Sequence, residues 1–141
     1  MSGDPMRVLD SPEKLADLVS DQPGHFVRFS DGPDSDASAD SVDYESRLPL
    51  PGLSVNILDP PRWWIRPLPD WLARQICQYL HLTDRSDSHR GWVLTGTMTG
   101  RGPDDEPLLS DVEPVAWLGA PLITAAQARY EDRFRPGRFQ E

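Results

Sequence analysis

The feature that most constrains the fold is a segment of 33 residues, from Pro49 to His81, that concentrates prolines and tryptophans. It holds three of the five tryptophans and six of the fifteen prolines of the chain. Proline fixes the backbone angle φ and donates no backbone hydrogen bond, so closely spaced prolines impose short, rigid turns. Large aromatic side chains beside such turns form a defined surface. We therefore expect this segment to form a surface that binds a specific ligand or partner, and not to serve as a flexible spacer.

The length of the chain, 141 residues, predicts a single compact domain over residues 1–141. A domain of this size buries roughly two-thirds of the surface of its unfolded chain and needs no disulfide or metal to fold. Cys77, the only cysteine, lies in an apolar helical pattern, where a buried and unreactive thiol is the usual case. The N-terminus has no basic or apolar leader and no window is apolar enough to span a membrane, so we expect a soluble, cytoplasmic protein.

The charge balance, 23 acidic against 14 basic residues, disfavours direct binding to DNA or RNA, because such binding depends on basic side chains that neutralise phosphates. An acidic chain can instead dock on a basic partner or imitate nucleic acid, although an acidic surface more often only confers solubility. Lys14 is the only lysine, a bias that fits a GC-rich genome. Residues 31–46 are polar and acidic without apolar periodicity, which predicts a mobile loop.

In the first half of the chain, the residue patterns predict one helix and one strand. Ser11 suits the N-cap and Pro12 the first turn of a short helix that ends near Gln22. A strand is expected from His25 to Ser30, and the period of two places Arg28 on the same face as Ser30.

In the second half, apolar periodicity predicts further strands and two more helices. The helix after Pro69 begins at that residue or at Asp70, and a capping box at Thr124 opens the last helix. Glu106 falls in a turn-rich connection before the last strand. The expected elements are strands at 53–57, 92–99 and 112–118 and helices at 70–80 and 124–133. Since strands and helices do not alternate as regular βαβ units, we predict an α+β fold with a mainly antiparallel sheet and about three helices.

Familiar phosphate-binding, hydrolase and metal motifs are incomplete. Residues 100–103 supply only the GxG part of a glycine-rich phosphate loop. Residues 52–56 lack the second small residue of a nucleophile elbow. The three histidines include no closely spaced pair, and the aspartates at 31–40 lack the glycine and distal glutamate of a calcium loop. The sequence predicts no metal site.

A dispersed set of polar residues remains, with Arg28 and Ser30 on the first predicted strand, Ser54 on the second and Glu106 in the late connection. An enzyme that transfers ADP-ribose from NAD needs a cation for the pyrophosphate or ribose and a serine that braces it. It also needs a carboxylate that stabilises the oxocarbenium-like ribose. The order of these residues resembles that of the arginine-type ADP-ribosyltransferases. The alternative is that Arg28 and Glu106 form an ordinary ion pair.

This resemblance implies NAD as the cofactor, with Glu106 as the catalytic residue. It also implies an aromatic clamp for NAD, which Trp63, Trp64 or Tyr79 would supply. The family usually has Ser-Thr-Ser where this chain has residues 54–56, Ser-Val-Asn. Trp63 and Trp64 also suit a stacking platform for a sugar or base, although tryptophan more often serves core or half-buried packing.

A broader resemblance rests on four blocks of sequence, namely Pro-Gly-Leu-Ser, Trp-Trp, Ala-Arg-Gln and Gly-Arg-Gly-Pro-Asp. The resemblance extends over nearly the whole chain and is most specific in these blocks, which are similar to those of a family of small actinobacterial proteins, a domain of unknown function. The resemblance implies a bacterial, stand-alone domain and transfers no activity.

Two hypotheses of different class follow. In the first, Arg28, Ser30, Ser54, Trp63 and Trp64 line a pocket for a nucleotide-like ligand such as NAD, with Glu106 acting on its sugar. In the second, the protein is a non-catalytic regulator or adaptor that docks a protein partner through the acidic loop and the proline- and tryptophan-rich surface. Base rates favour the second hypothesis, and the specificity of the residue content favours the first.

Overall fold

The computed structural model describes residues 6–30, 32–33, 53–78, 90–102 and 106–134. Within these ranges the chain forms six strands and three helices, which confirms the predicted α+β class. The elements in chain order are β1 (Arg7–Leu9), α1 (Pro12–Asp21), β2 (Phe26–Ser30), β3 (Leu53–Ser54), β4 (Asn56–Ile57), α2 (Leu68–Gln78), β5 (Arg90–Arg101), β6 (Pro107–Leu118) and α3 (Ala120–Phe134).

The strands form one mixed sheet in the order β1-β6-β5-β2-β4, and β3 also pairs with β6. Only the β1–β6 pair is parallel among these strands; the other pairs are antiparallel. A single residue, Val55, separates β3 from β4. Yet β3 pairs with β6 and β4 pairs with β2, two strands on opposite sides of β5. The sheet must therefore curl so that one short segment reaches both.

The two faces of the curled sheet bury different apolar clusters. Successive strand residues point to opposite faces, so Val27 and its partner Val93 face the helices while Phe26 and its partner Leu94 face the other way. We call the second group the curl cluster. Its buried members are Phe26, Leu53, Val55, Trp92, Leu94 and Leu109.

The three helices cover the other face and complete what we call the helix-side cluster. Ser11 caps α1, because its Oγ accepts a hydrogen bond from the backbone N–H of Lys14 at 3.3 Å. Apolar residues at helical spacing then reach the core. The buried helical members of the cluster are Leu15, Val19, Trp71, Leu72, Ala73, Ile76, Leu122 and Ala126.

Four element predictions were wrong in detail. The last helix begins at Ala120 and not at Thr124. The backbone N–H of Gly119 donates to Leu9 O at 2.8 Å, so the chain leaves the sheet and enters the helix at once. A side chain at Gly119 would crowd the Leu9 carbonyl. The contact between Gly119 and Leu9 therefore sets the start of the helix, and the capping box at Thr124 does not.

The other errors concern the sheet. β1 was not predicted, and the expected strand at 53–57 is split around Val55. The connection expected between the strands at 92–99 and 112–118 is also largely strand. β5 continues to Arg101, and β6 begins at Pro107. Leu108 and Leu109 pair with β3, and this cross-strand burial extends the hairpin.

Residues 31–46, predicted as a mobile loop, lie outside the described residues apart from Gly32 and Pro33, and so does Tyr79. None of the helices that the structure describes is both long and apolar enough to cross a membrane.

Candidate functional site

Three indole rings meet at the start of α2. The ring centroids of Trp63 and Trp64 are 6.2 Å apart, those of Trp63 and Trp71 are 6.4 Å apart, and those of Trp64 and Trp71 are 5.1 Å apart. The contacts with Trp71 are edge-on, which suits the opposite charges on the face and edge of an aromatic ring. The proline-rich segment therefore folds into one aromatic cluster.

Hydrogen bonds to backbone carbonyls hold Trp64 and Trp71 in position. The N–H of Trp64 donates to Pro61 O at 3.0 Å, and the indole Nε1 of Trp64 donates to Pro67 O at 3.3 Å. The indole of Trp71 is buried and donates to Leu58 O at 3.0 Å. Because the carbonyls of prolines accept two of these bonds, the turn and the indoles hold each other in place.

The solvent exposure of the aromatic cluster increases from Trp71 to Trp63. Trp71 is buried and Trp64 packs against the helix-side cluster. Trp63 is 70% exposed, and Ile65 is 94% exposed. The other exposed large apolar residues among those described, Val8 and Met98, are only 45% and 46% exposed. The two most exposed large apolar side chains of the described chain therefore lie two positions apart.

Within the described ranges, two arginines lie over these indole rings. The guanidinium carbon of Arg66 lies 5.9 Å from the ring centroid of Trp64, and that of Arg74 lies 5.4 Å from the centroid of Trp71. These distances are within the range of cation–π attraction. We call this set, Trp63, Trp64, Ile65, Arg66 and Arg74, the tryptophan surface.

Asp70 anchors the tryptophan surface to α3. Its side chain is only 3% exposed, and Oδ1 accepts a hydrogen bond from Nη1 of Arg129 at 2.7 Å. Arg66 Nε lies 3.7 Å from Oδ2, and Arg133 Nε lies 3.8 Å from Oδ1. Arg66 also donates to the backbone oxygen of Arg133 at 3.4 Å. One buried carboxylate thus orients three guanidinium groups.

Of the polar residues predicted for a nucleotide site, Arg28 and Ser30 lie on the face of the sheet opposite the helices. Arg28 Nη1 donates to the backbone oxygen of Ser54 at 2.7 Å. Ser30 is buried, and its Oγ accepts hydrogen bonds from Trp92 Nε1 at 3.0 Å and from Gly32 N at 3.1 Å. Arg28 pairs with Trp92 across β2 and β5. Both side chains therefore link strands at the curl cluster.

Glu106 lies close to Ser54 along the paired strands. The N–H of Val55 donates to Pro107 O at 3.1 Å, and the N–H of Gly102 donates to the backbone oxygen of Glu106 at 2.8 Å. The Glu106 carboxylate fills the space that a side chain on Gly102 would occupy. The structure thus brings Ser54 next to both Arg28 and the start of β6, whereas Trp64 packs against the opposite, helix-side cluster.

Trp63 and Trp64 were predicted as site residues from the sequence. Ile65, Arg66, Arg74 and the buried Asp70 were not. The spacing of Arg66 and Asp70, four residues, is a signal for an ion pair at a helix start. The pairing of Asp70 with Arg129 joins residues 59 positions apart and leaves no local signal.

Cys77 lies in the last turn of α2 and is partly buried against the helix-side cluster. Burial, with the negative charge of Glu131 as a smaller contribution, raises the pKa of Cys77 from 9.0 to about 11. This supports the interpretation of Cys77 as an unreactive thiol. Within the described ranges, no three His, Cys, Asp or Glu side chains are grouped so that they could hold a metal ion.

The protein is thus a small α+β domain. It has a curled sheet on one side and, on the other, the tryptophan surface with Arg66 and Arg74 over its indole rings. The chain belongs to the family described as a family of unknown function (DUF6098), whose model matches residues 2–139. The predicted membership in such a family is confirmed, while the actinobacterial source and the ADP-ribosyltransferase resemblance stay predictions. No curated protein and no solved structure matches the chain.

Proposed function

We propose that the protein is a non-catalytic protein-interaction domain that binds a partner through the tryptophan surface. The observation that carries this proposal is the exposure of Ile65 (94%) and Trp63 (70%) on a turn bounded by prolines. Isolated apolar residues on a surface are common, but contiguous exposed apolar groups mark interaction sites.

The composition of the tryptophan surface matches that of binding hot spots. Tryptophan and arginine are enriched among the residues that contribute most to the affinity of protein interfaces. Burying a large apolar side chain such as Ile65 contributes roughly 1.5–3 kcal/mol. Trp63 and Ile65 can both make such a contribution because the folded chain leaves them in solvent.

The rigidity of the turn also favours binding. Association costs free energy when side chains and loops must become ordered. Here the backbone at Trp64 and the ring of Trp71 are already held by hydrogen bonds to Pro61 and Leu58. The backbone of the segment therefore loses little conformational freedom when a partner covers it.

Photo-crosslinking from the tryptophan surface tests this proposal. A photoreactive phenylalanine analogue is placed at Ile65 in cells that naturally make the protein, and the captured protein is then purified and titrated calorimetrically. We expect one partner to be captured, and we expect Trp63→Ala to weaken its binding at least tenfold, which corresponds to about 1.4 kcal/mol.

The matched control places the same analogue at Met98, an exposed apolar residue on β5. Equal capture from both positions, or binding that Trp63→Ala leaves unchanged, contradicts the proposal. Capture of only a second copy of this chain would replace the partner by a homodimer.

A second candidate is a nucleotide site at the curl cluster, with Arg28 as the phosphate-binding residue and Glu106 as the catalytic residue of an NAD-dependent transferase. The contact of Arg28 with the Ser54 carbonyl, next to the strand that begins after Glu106, favours it. Calorimetric titration with NAD tests it. Saturable binding that Arg28→Ala abolishes and Glu106→Gln keeps supports this candidate, and an absence of heat at millimolar NAD removes its support.

A further inference from the structure

We infer that the partner element taken by the tryptophan surface is an acidic peptide segment with a large apolar anchor side chain. This inference rests on the proposed function and specifies the chemistry of its partner. It follows from the charges around the indoles and from how those charges are held.

The charges next to the tryptophan surface are mainly positive, although the chain as a whole carries a net charge of −9. Among the residues that the structure describes, four guanidinium groups (Arg66, Arg74, Arg129 and Arg133) and two carboxylates (Asp70 and Asp132) lie in this network. Asp70 is buried and cannot meet a partner. An approaching segment thus meets more arginine than aspartate.

Arg74 provides the clearest binding group. Its Nη1 donates to the neutral side-chain oxygen of Gln75 at 2.9 Å, and its guanidinium stands over Trp71. A guanidinium that is oriented by an aromatic ring keeps further N–H groups for a carboxylate, which it binds with two parallel hydrogen bonds. Arg66 is similarly oriented by Trp64 and Asp70, and its side chain is 40% exposed.

The apolar and charged groups of the tryptophan surface are close enough for one short segment. Trp63, Trp64, Ile65 and Arg66 are consecutive, and Arg74 reaches the same aromatic cluster through Trp71. A peptide with an aromatic or aliphatic anchor on Trp63 and Ile65 therefore places neighbouring carboxylates beside Arg66 and Arg74.

A peptide fits this charge pattern better than a nucleic acid does. DNA and RNA present phosphates along their whole length, and their affinity depends on many basic contacts. The local arginines suffice for a few carboxylates, whereas a long polyanion would also meet the acidic remainder of this chain.

Selection from random peptides tests the inference without assuming a partner. A phage-displayed library of 12-residue peptides is selected on the wild-type protein and counter-selected on Trp63→Ala. We expect the selected peptides to combine Asp or Glu with an aromatic or aliphatic residue. Changing the acidic residues of a selected peptide to their amides should weaken its binding at least tenfold, as measured by fluorescence anisotropy.

Single variants then assign the charge recognition. Arg74→Gln should weaken the selected acidic peptide about as strongly as the amide change does, and it should have little effect on the amide peptide. Arg7→Gln, an exposed arginine on β1, is the matched control and should leave both affinities unchanged. Circular dichroism checks that each variant is folded.

The outcomes separate the two proposals. Selected peptides that are neutral or basic, or that bind equally well as amides, overturn the acidic inference while the tryptophan surface remains a docking site. Failure to select any peptide that distinguishes wild type from Trp63→Ala counts against the docking surface itself. Displacement of the acidic peptide by a 12-nucleotide oligothymidine at equal concentration would overturn the peptide in favour of a nucleic acid.

Discussion

Two groups of tryptophan and arginine residues in the described part of the chain differ in what they contact. In the curl cluster, Trp92 is fully buried and donates to Ser30, and Arg28 donates to the Ser54 carbonyl. On the tryptophan surface, Trp63 is 70% exposed, and Arg66 and Arg74 stand over indole rings.

The comparison shows why residue type alone does not locate a site. In the curl cluster, Trp92 Nε1 and Arg28 Nη1 each donate a hydrogen bond to a neighbouring strand, and these bonds hold the curled sheet together. On the tryptophan surface the buried ring, Trp71, supports exposed neighbours. We infer that the first group acts mainly in stability and the second in binding.

The largest expected difference between the two groups is in stability. Trp92→Ala removes a fully buried ring and should lower the free energy of unfolding by about 3–5 kcal/mol. Trp63→Ala should cost less than about 1 kcal/mol, because the removed ring lies mostly in solvent. Urea denaturation of both variants measures the difference. Comparable losses would show that the exposed ring is structural and would break the comparison.

The next effect concerns the anchor beneath the tryptophan surface. Asp70→Asn leaves Arg66, Arg129 and Arg133 without their shared buried carboxylate and should lower the free energy of unfolding by about 2–4 kcal/mol. Arg133→Gln, which removes a longer and half-exposed contact, should cost less than about 1 kcal/mol. Equal losses in urea denaturation would mean that Asp70 does not act as the common anchor.

A smaller loss is expected at the hydroxyl that ties the curl cluster. Ser30→Ala removes the acceptor for Trp92 Nε1 and Gly32 N and should lower the free energy of unfolding by about 1–3 kcal/mol. Ser30→Thr keeps the hydroxyl acceptor and serves as the matched control. If Ser30→Ala also abolished the binding of a partner captured at Ile65, the two regions would be coupled and the comparison would need revision.

The smallest effect on stability is expected at Cys77, in the helix beside the tryptophan surface. Burial raises the pKa of the Cys77 thiol to about 11 in the folded chain, whereas the ordinary value is 9.0. Between these values the unfolded chain loses the proton more readily, so Cys77 should lower stability as pH rises above about 9. Cys77→Ala should flatten this alkaline slope in denaturation curves.

The same pKa predicts slow alkylation. At pH 8 the thiolate fraction should be about 100-fold below that of an unperturbed cysteine, since each pKa unit is a factor of ten. The rate of reaction with iodoacetamide, compared with that of the unfolded chain, measures it. Equal rates would show that local opening exposes Cys77.

Most helices and strands could be predicted because their patterns are local. The N-cap at Ser11 and the apolar stripe that contains Leu72 and Ile76 depend on residues within a few positions of each other, and both predicted helices are present. β1 has only three residues, too few for a periodic pattern, and forms because β6 lies beside it.

The candidate site could be predicted only in part. The proline and tryptophan pattern predicts a specific surface, and Trp63 and Trp64 lie on the tryptophan surface. The buried role of Asp70 could not be predicted, because its partner Arg129 lies on another helix. Nor could Arg28 be assigned its contact, since the carbonyl of Ser54 reaches it only when the sheet curls.

The sequence by itself determined the class of the fold, through apolar periodicity, and the rigidity of residues 60–69, through the fixed φ of their prolines. Tertiary structure alone decided which tryptophans are buried and which are exposed. Trp71 and Trp92 are core residues and Trp63 is a surface residue, although Trp71 and Trp63 belong to the same proline- and tryptophan-rich segment. The reason is that burial is a property of the packed sheet and helices, which bring together residues distant along the chain.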